Sequence, residues 1–261
     1  MTDDLALILE TAREAGDLAR RLKGEGLKVW SKTGGSPVTN ADIAVDELLK
    51  ARLEAARPDY GWLSEETADD PARLAKSRLF VVDPIDGTAA FLKDRPWWSV
   101  SIAVVEDGRP IAGVVFAPEL DETFAATVGG GASLNGAVIK ASATDAVENC
   151  RMLGDAPMFK HPAWREPWPP MTIETRNSIA YRMCLVADGR FDAALALSGK
   201  SEWDLVAADL ICAEAGATST DHKGRSYAYN QPNSRLPSLV CAAPALHPLI
   251  LDRVRHIDLR N

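Results

Sequence analysis

The sequence predicts a mixed α+β fold in two halves, and three observations predict it. Residues 4–57 carry apolar side chains at helical spacing in two runs. Residues 80–141 are strand-like runs separated by tight turns. Past residue 142, helical and strand-like stretches alternate, as in an α/β layer. The halves are residues 1–140, an α+β unit with a large antiparallel sheet, and residues 141–261, an α/β unit.

The first helix spans residues 4–24, where Leu5, Ile8, Leu9, Ala12, Ala15, Leu18, Ala19 and Leu22 share one face and Gly24 and Gly26 stop the run. Lys28 to Trp30 is a short strand, the loop KTGGSPVTN follows, and Asn40 caps a second helix from Ala41 to Arg57. Asp42 lies in the first turn of that helix, where its charge suits the dipole. Tyr60 to Leu63 is a strand, followed by a Ser64-Glu65-Glu66-Thr67 loop.

Phe80 to Val82 form the end of a buried strand. Pro84 fixes φ and blocks continuation of the sheet, and Gly87 permits a sharp turn. The runs WSVSIAVVEDG and RPIAGVVFAPELDETFAATVGGGASLNG read as an antiparallel meander, broken at Asp107-Gly108 and at the Glu119 to Asp121 corner. Asn135-Gly136 makes another tight turn before Val138 to Ala141. Pro157 to Pro170, with its prolines and with Trp164 and Trp168, is an irregular surface loop whose aromatics pack together. Helix Ser178–Asp188, strand Phe191–Leu197, helix Trp203–Ala215, strand Ser238–Ala243 and helix Pro248–Arg255 complete the chain.

With 261 residues and 46% hydrophobic content, the chain can bury a full core as one large domain or two intimately packed halves. A net charge of −8, from 37 acidic and 29 basic residues, leaves no footprint for wrapping nucleic acid. A polyanionic substrate would then need metal ions to offset repulsion. The acidic, amphipathic N-terminus lacks the basic and apolar regions of a signal peptide, and no apolar run reaches the ~18 residues that span a bilayer. A cytoplasmic protein with no membrane partner is expected. Cys150, Cys184, Cys212 and Cys241 show no paired spacing and are expected reduced in the core. His161, His222, His247 and His256 are scattered, which argues against a zinc site and for oxygen ligands.

Residues 80–91, FVVDPIDGTAAF, place Asp83 and Asp86 on the sharp turn. Alone, two aspartates serve a turn as readily as a metal. A helix beginning near Thr88 would aim the backbone N–H groups of Gly87, Thr88 and Ala89 at the volume the carboxylates line. Glu65-Glu66 and Glu202-Trp203-Asp204 also lie where apolar structure ends. Converging carboxylates repel one another unless a cation holds them, and Mg²⁺ suits carboxylates, waters and phosphate.

The order G-W-L-S-E-E-T, D-P-I-D-G-T, W-D-L-V-A-A-D and E-A-G, from Lys32 to Ala217, resembles the inositol monophosphatase family of Mg²⁺-dependent, Li⁺-sensitive phosphatases. The resemblance implies a layered αβαβα sandwich of the sugar phosphatase type with its site between the halves. It implies two or three Mg²⁺ ions: Glu65 as ligand of the first with Glu66 beside it, Asp83 bridging, the Ile85 carbonyl completing the first site, and Asp86 with Asp204 holding the second. Gly87 and Thr88 would donate backbone N–H groups to the phosphate. The Thr88 hydroxyl, bonded to Asp42, would activate the attacking water together with Glu65, and Lys32 would reach toward the metals. A homodimer acting on a small phosphorylated substrate is also implied.

Substrate choice rests on fewer residues. In inositol-specific members an acid stands seven positions before the W-D aspartate, where this chain has Leu197. NSIAYRMCLVADGRFD keeps the family frame S-x-A-x-x-x-C-L-V-A-x-G, with bulkier or more basic Ile179, Tyr181 and Arg182. Residues 83–141 look most like bacterial 3′(2′),5′-bisphosphate nucleotidases, so Tyr181, Arg182 or Lys200 would meet a second phosphate or a base. The alternatives are inositol-1-phosphate, histidinol phosphate, fructose 1,6-bisphosphate, or a phosphatase-like protein that binds another macromolecule. Trp203 is expected to pack, and Asp209 and Glu214 to face solvent or support their helix.

Overall fold

Ile8, Ala12, Ala15 and Ala19 recur at helical spacing and are fully buried on one side of α1 (Asp3–Glu25). The structure, a computed structural model, describes residues 3–32, 37–162 and 164–259. Residues 33–36 of the expected loop and residue 163 of the proline-rich stretch lie outside them.

After α1 the chain forms a ribbon of β1 (Val29–Ser31) and β2 (Pro37–Thr39), then α2 (Asn40–Ala56). Thr39, not Asn40, caps α2, because only that register puts Asp42 at the third helical position. There the Asp42 carboxylate closes a capping box with the Thr39 N–H. Asn40 Oδ1 instead accepts from the Lys28 N–H at 2.7 Å.

The large sheet follows: β3 (Gly61–Ser64), β4 (Arg78–Asp86), then helix α3 (Thr88–Leu92), β5 (Ser99–Glu106), β6 (Arg109–Ala117), β7 (Glu122–Thr127), β8 (Gly131–Leu134) and β9 (Ala137–Val138). Its strands lie in chain order. From β4 onward they are antiparallel, but β3 and β4 are parallel, with Ser64 beside Val82. The connection between them crosses over through a 3₁₀ turn at Pro71–Ala75. Parallel pairing brings Glu65 and Asp83 out at the same end of the sheet; antiparallel pairing would have put them at opposite ends.

Pro84 does not end β4. Pairing resumes at Asp86 opposite Ser99 after a bulge that begins past Asp83, so the extra residues bend the strand and re-aim both aspartates.

The C-terminal elements are β10 (Arg151–Leu153), α4 (Ala156–Phe159), β11 (Thr172–Glu174), α5 (Ile179–Ala187), β12 (Ala193–Ala196), β13 (Lys200–Ser201), α6 (Glu202–Glu214), β14 (Thr218–Thr220), β15 (Arg235–Leu236), β16 (Leu239–Ala242) and α7 (His247–Val254). A second sheet has the order β11-β10-β12-β16-β14.

Strand alternation sets the layers. In β4, Phe80 and Val82 face α1 and α2, while Leu79 and Val81 face α5 and α6. The second sheet sends Ala194, Ala196 and Cys241 to α5 and α6, and Ala193, Leu195, Val240 and Ala242 to α7. The result is the αβαβα stack: helices α1 and α2, the large sheet, α5 and α6, the second sheet, α7. Trp164 packs edge-on against Trp168, and Trp168 edge-on against Phe159. All four cysteines are free and buried.

Candidate active site

The bulged end of β4 turns through Gly87, whose φ of +91° and ψ of +38° are left-handed. A Cβ there would stand 2.8 Å from the Ser178 nitrogen, so glycine also permits the close approach of α5. Helix α3 starts at Thr88, and its first N–H groups have no partner one turn earlier.

Three oxygen ligands converge at this turn. One carboxylate oxygen each from Glu65, Asp83 and Asp204 lie within 4.8 Å of one another. Glu65 follows β3, with its N–H donated to the Val82 carbonyl. Asp83 sits at the bulge and accepts from the Ile85 N–H at 3.1 Å. Asp204 is in the first turn of α6, where Ser201 and Asp204 form a capping box and the Ser201 N–H donates at 2.7 Å.

Asp86 stands beside this trio with its oxygens already engaged by α5. It accepts from the Ser178 hydroxyl at 2.5 Å, the Ala180 N–H at 2.7 Å and the Ile179 N–H at 3.2 Å. Its charge thus lies on the positive end of a helix.

Burial and mutual repulsion leave these acids reluctant to ionise. Burial, then the Glu65, Asp86 and Asp204 charges, push Asp83 well above the usual carboxylate range. Burial pushes Asp204 to about 7, with Asp86 adding to it. Asp86 is raised by burial to about 6, its hydrogen bonds from Ser178, Ala180 and Ile179 pulling the other way.

The Thr88 hydroxyl is 3.1 Å from Asp42 Oδ1 and 3.2 Å from the Ile85 carbonyl, bringing the second helix to the turn. Asp42 Oδ2 is held by the Thr39 N–H at 2.8 Å and the Thr39 hydroxyl at 2.6 Å. Burial raises the Asp42 pKa against these bonds. Lys32 Nζ bridges Glu65 Oε1 at 2.9 Å and Glu66 Oε1 at 2.7 Å. Burial opposes the lysine charge, but the two glutamates outweigh it and raise its pKa. Burial pushes Glu66 up to about 7 despite Lys32.

The family pattern of the inositol monophosphatases matches residues 2–259. The chain belongs to the inositol monophosphatase family. It is 34% identical over 233 residues to a histidinol-phosphatase of Chlorobaculum parvum, covering 86% of this chain and 88% of that protein. It is 30% identical over 239 residues to the 3′(2′),5′-bisphosphate nucleotidase CysQ of Escherichia coli O157:H7, covering 88% and 95%. An IMPase structure from Thermotoga maritima matches with a TM-score of 0.85 at 28% identity over 98% of both chains. Members of the inositol monophosphatase family are metal-dependent hydrolases of phosphate monoesters, and this chain is one of those members.

The residues of this family member fit a hard divalent cation. The donors are all oxygen, Asp83 is buried with Glu65 and Asp204 half-buried beside it, and Lys32 is the one cation that ion-pairs with any of them among the described residues. Glu65, Asp83, Ile85, Asp86, Gly87, Thr88, Asp42, Asp204, Lys32 and Glu66 all gather at or beside the turn. Tyr181 does not. Its side chain is buried, its hydroxyl donates to Glu122 at 2.8 Å and its ring packs edge-on against Phe124, because its place on α5 turns it into the core. Asp209 is half-buried and supports its helix through Ser219 and Tyr229, and Glu214 receives the Gly129 and Gly131 N–H groups at 2.8 Å. Trp203 packs against the core as expected.

Two side chains outside the sequence-derived site hold it in shape. Ser178 caps α5 and donates to Asp86; its signal was a serine directly before a helical run. Asp46, buried one turn after Asp42, accepts from the Ser64 hydroxyl at 2.5 Å and from the Thr67 hydroxyl. It thereby ties down both ends of the Glu65-Glu66 segment.

Proposed function

We propose that the chain is a Mg²⁺-dependent phosphomonoesterase acting by attack of water on a small ester, with adenosine 3′,5′-bisphosphate as the substrate it suits best. The observation that carries the reading is the convergence of Glu65, Asp83 and Asp204 beside a Thr88 hydroxyl held by Asp42. Glu65, Asp83, the Ile85 carbonyl, Asp86 and Asp204 would hold two or three Mg²⁺ ions, which would supply acidification of a bound water and neutralisation of charge on the departing ester oxygen.

The chain's own groups do the positioning. Thr88 Oγ1 hydrogen-bonds the attacking water, and Asp42 Oδ1 receives the proton relayed through it; a carboxylate made more basic by burial is suited to that role. The Gly87 and Thr88 N–H groups hold the phosphate oxygens in line. Lys32 keeps Glu65 and Glu66 together at the mouth. No side chain is required as a covalent nucleophile.

Two features support a bisphosphorylated nucleotide over inositol-1-phosphate. Leu197 offers no acid for sugar hydroxyls, and Arg182 and Lys200 lie within electrostatic reach of Asp86. A second reading, histidinol phosphate, is favoured by the likeness to the Chlorobaculum parvum histidinol-phosphatase. Phosphate release in Mg²⁺ and in EDTA is measured on adenosine 3′,5′-bisphosphate, histidinol phosphate, inositol-1-phosphate and fructose 1,6-bisphosphate. The highest kcat/KM is expected for the nucleotide, and Asp204→Asn should abolish turnover while preserving the thermal melt. Preference for histidinol phosphate overturns the substrate reading; turnover by Asp204→Asn overturns the role of the carboxylates.

A further inference from the structure

Glu202 is a fully buried acid, and it stands in the first turn of α6 just before Trp203 and Asp204. Both of its oxygens go to backbone N–H groups of the loop between β14 and β15, and no cation ion-pairs with it among the described residues. Oε2 accepts from the Asn230 N–H at 2.7 Å and Oε1 from the Gln231 N–H at 2.9 Å. The Glu202 N–H itself is donated to the Ser234 carbonyl at 2.9 Å. Burying a carboxylate costs stability that an apolar side chain of similar length would not. What the carboxylate adds is a fixed seat for the loop against the start of α6.

The same two loop residues are held from the β3–β4 crossover. Arg73, in the 3₁₀ turn of that crossover, is buried. One terminal nitrogen is donated to Asn230 Oδ1 at 2.7 Å and the other to the Gln231 carbonyl at 3.0 Å. The guanidinium also forks onto both oxygens of Asp69, at 2.6 and 2.9 Å. Asn230 and Gln231 therefore face two ways: their N–H groups go to Glu202, and their side-chain or main-chain oxygens go to Arg73.

We propose that Glu202 and Arg73 are positioning residues that, by clasping Asn230 and Gln231 between them, fix Asp204 against Glu65 and Asp83. The proposal rests on the phosphatase reading above and names what holds its metal site to size. Asp83 is built into the bulge of β4, and the Glu65 segment is tied down through Asp46. Asp204 arrives on a separate helix. The start of that helix is anchored by the pairing of Ser201 with Arg235 and by the bonds of Glu202. The clasp closes a short circuit: from Glu65 along the chain to Asp69 and Arg73, across the loop to Glu202, and on to Asp204. Mg²⁺ demands oxygens at about 2.0–2.1 Å in near-octahedral array, so a first turn of α6 that is free to drift offers it a poorer site. Breaking the clasp loosens that turn without touching a ligand.

The test is calorimetric titration of the metal-free protein with Mg²⁺. Glu202→Gln keeps the side chain's size and replaces one acceptor with a donor that faces an N–H group. Asn230→Gly keeps the N–H to Glu202, accepts the φ of +58° found there and releases Arg73 from the side-chain oxygen. Each should raise the Mg²⁺ dissociation constant by about tenfold, the low end of what a change behind a metal ligand costs. Raising Mg²⁺ should restore phosphate release, with KM for the ester at saturating Mg²⁺ within about twofold of wild type. The double variant should weaken Mg²⁺ little more than the worse single does, because both act through one loop. Tyr229→Phe is the control. It removes the hydroxyl bond from the neighbouring loop residue to Asp209, and should lower the thermal melt with Mg²⁺ affinity unchanged. Single variants that bind Mg²⁺ as wild type does, fully additive losses in the double variant, or an equal loss in Tyr229→Phe overturn the positioning role. Wild-type protein that neither binds Mg²⁺ nor releases phosphate from any ester overturns the phosphatase reading and the proposal with it, whereas equal binding by wild type and variants overturns the proposal alone.

Discussion

Replacing Gly87 by alanine should damage stability and turnover together, and the structure gives the size of both effects. The residue sits at φ +91°, where an alanine costs about 1–2 kcal/mol of backbone strain. Its new Cβ would lie 2.8 Å from the Ser178 nitrogen and 3.2 Å from the Ser178 Cα, both backbone atoms that cannot rotate away. Helix α5 must then shift by a few tenths of an ångström, an overpacking cost of about 1–3 kcal/mol. The sum is about 2–5 kcal/mol, which lowers the melting temperature by roughly 4–20 °C for a chain of this size. Because Ser178 and the Ile179 and Ala180 N–H groups hold Asp86, the same shift misplaces a metal-site carboxylate and should lower kcat by about 100-fold. Gly26 is the control. Its φ is +105° with nothing within 4 Å of a Cβ, so Gly26→Ala carries the strain without the clash. Scanning calorimetry and Mg²⁺-dependent phosphate release measure both variants. If Gly87→Ala melts with Gly26→Ala and keeps kcat within about twofold, the close packing of α5 on the turn does not govern the site.

Asp46→Ala should lower stability by about 1–3 kcal/mol, since the Ser64 and Thr67 hydroxyls lose their acceptor. Calorimetric Mg²⁺ affinity should weaken as the Glu65-Glu66 segment loosens, whereas unchanged Mg²⁺ affinity would refute the clamp. A third outcome concerns pH. Asp204 and Asp86 have folded pKa values of about 7 and about 6, above the roughly 4 of an unfolded aspartate. Between those limits the folded protein binds more protons than the unfolded chain, so stability in EDTA should fall as pH rises through that window. Added Mg²⁺ should therefore raise the melting temperature more at about pH 8 than at about pH 5.5, because ligands must deprotonate to bind. A metal-free melting temperature that climbs with pH across that window would refute the sign.

The acidic turn of the candidate site was legible because its chemistry is local. Asp83, Pro84, Asp86 and Gly87 adjoin a run of buried apolar residues, and each residue type constrains the backbone by itself. The helices announced themselves through period, as Ile8, Ala12, Ala15 and Ala19 show. Orientation was harder. The β3–β4 pair is parallel, yet Gly61 to Ser64 has the same apolar character whichever way its neighbour runs. Tyr181 was misplaced for a related reason: it directly follows the Ile179 and Ala180 N–H groups that hold Asp86, but its side chain points along the face that α5 gives to the core. Strands β10, β11 and β14 are three residues each, too short for a period of two to be read.

What sequence could not convey at all is how Asp86 is held. Its partners, Ser178, Ile179 and Ala180, lie more than ninety residues away, and nothing in DPIDGT asks for them. They meet because the large sheet ends in a bulge at the level where α5 begins, with Gly87 leaving room for the contact. The helix end offers two N–H groups and a hydroxyl to a carboxylate that burial would otherwise protonate. Stacking the layers therefore does more than cover apolar faces. It brings one acid from the loop after β3, two from β4 and one from α6 to a single end of the stack, and sets the fixed dipole of α5 against Asp86, whose two oxygens both already accept hydrogen bonds. The remaining trio, Glu65, Asp83 and Asp204, has Lys32 as its one ion-pair partner among the described residues, with Lys200 acting on Asp204 at longer range, so its charge is left for a divalent cation to offset.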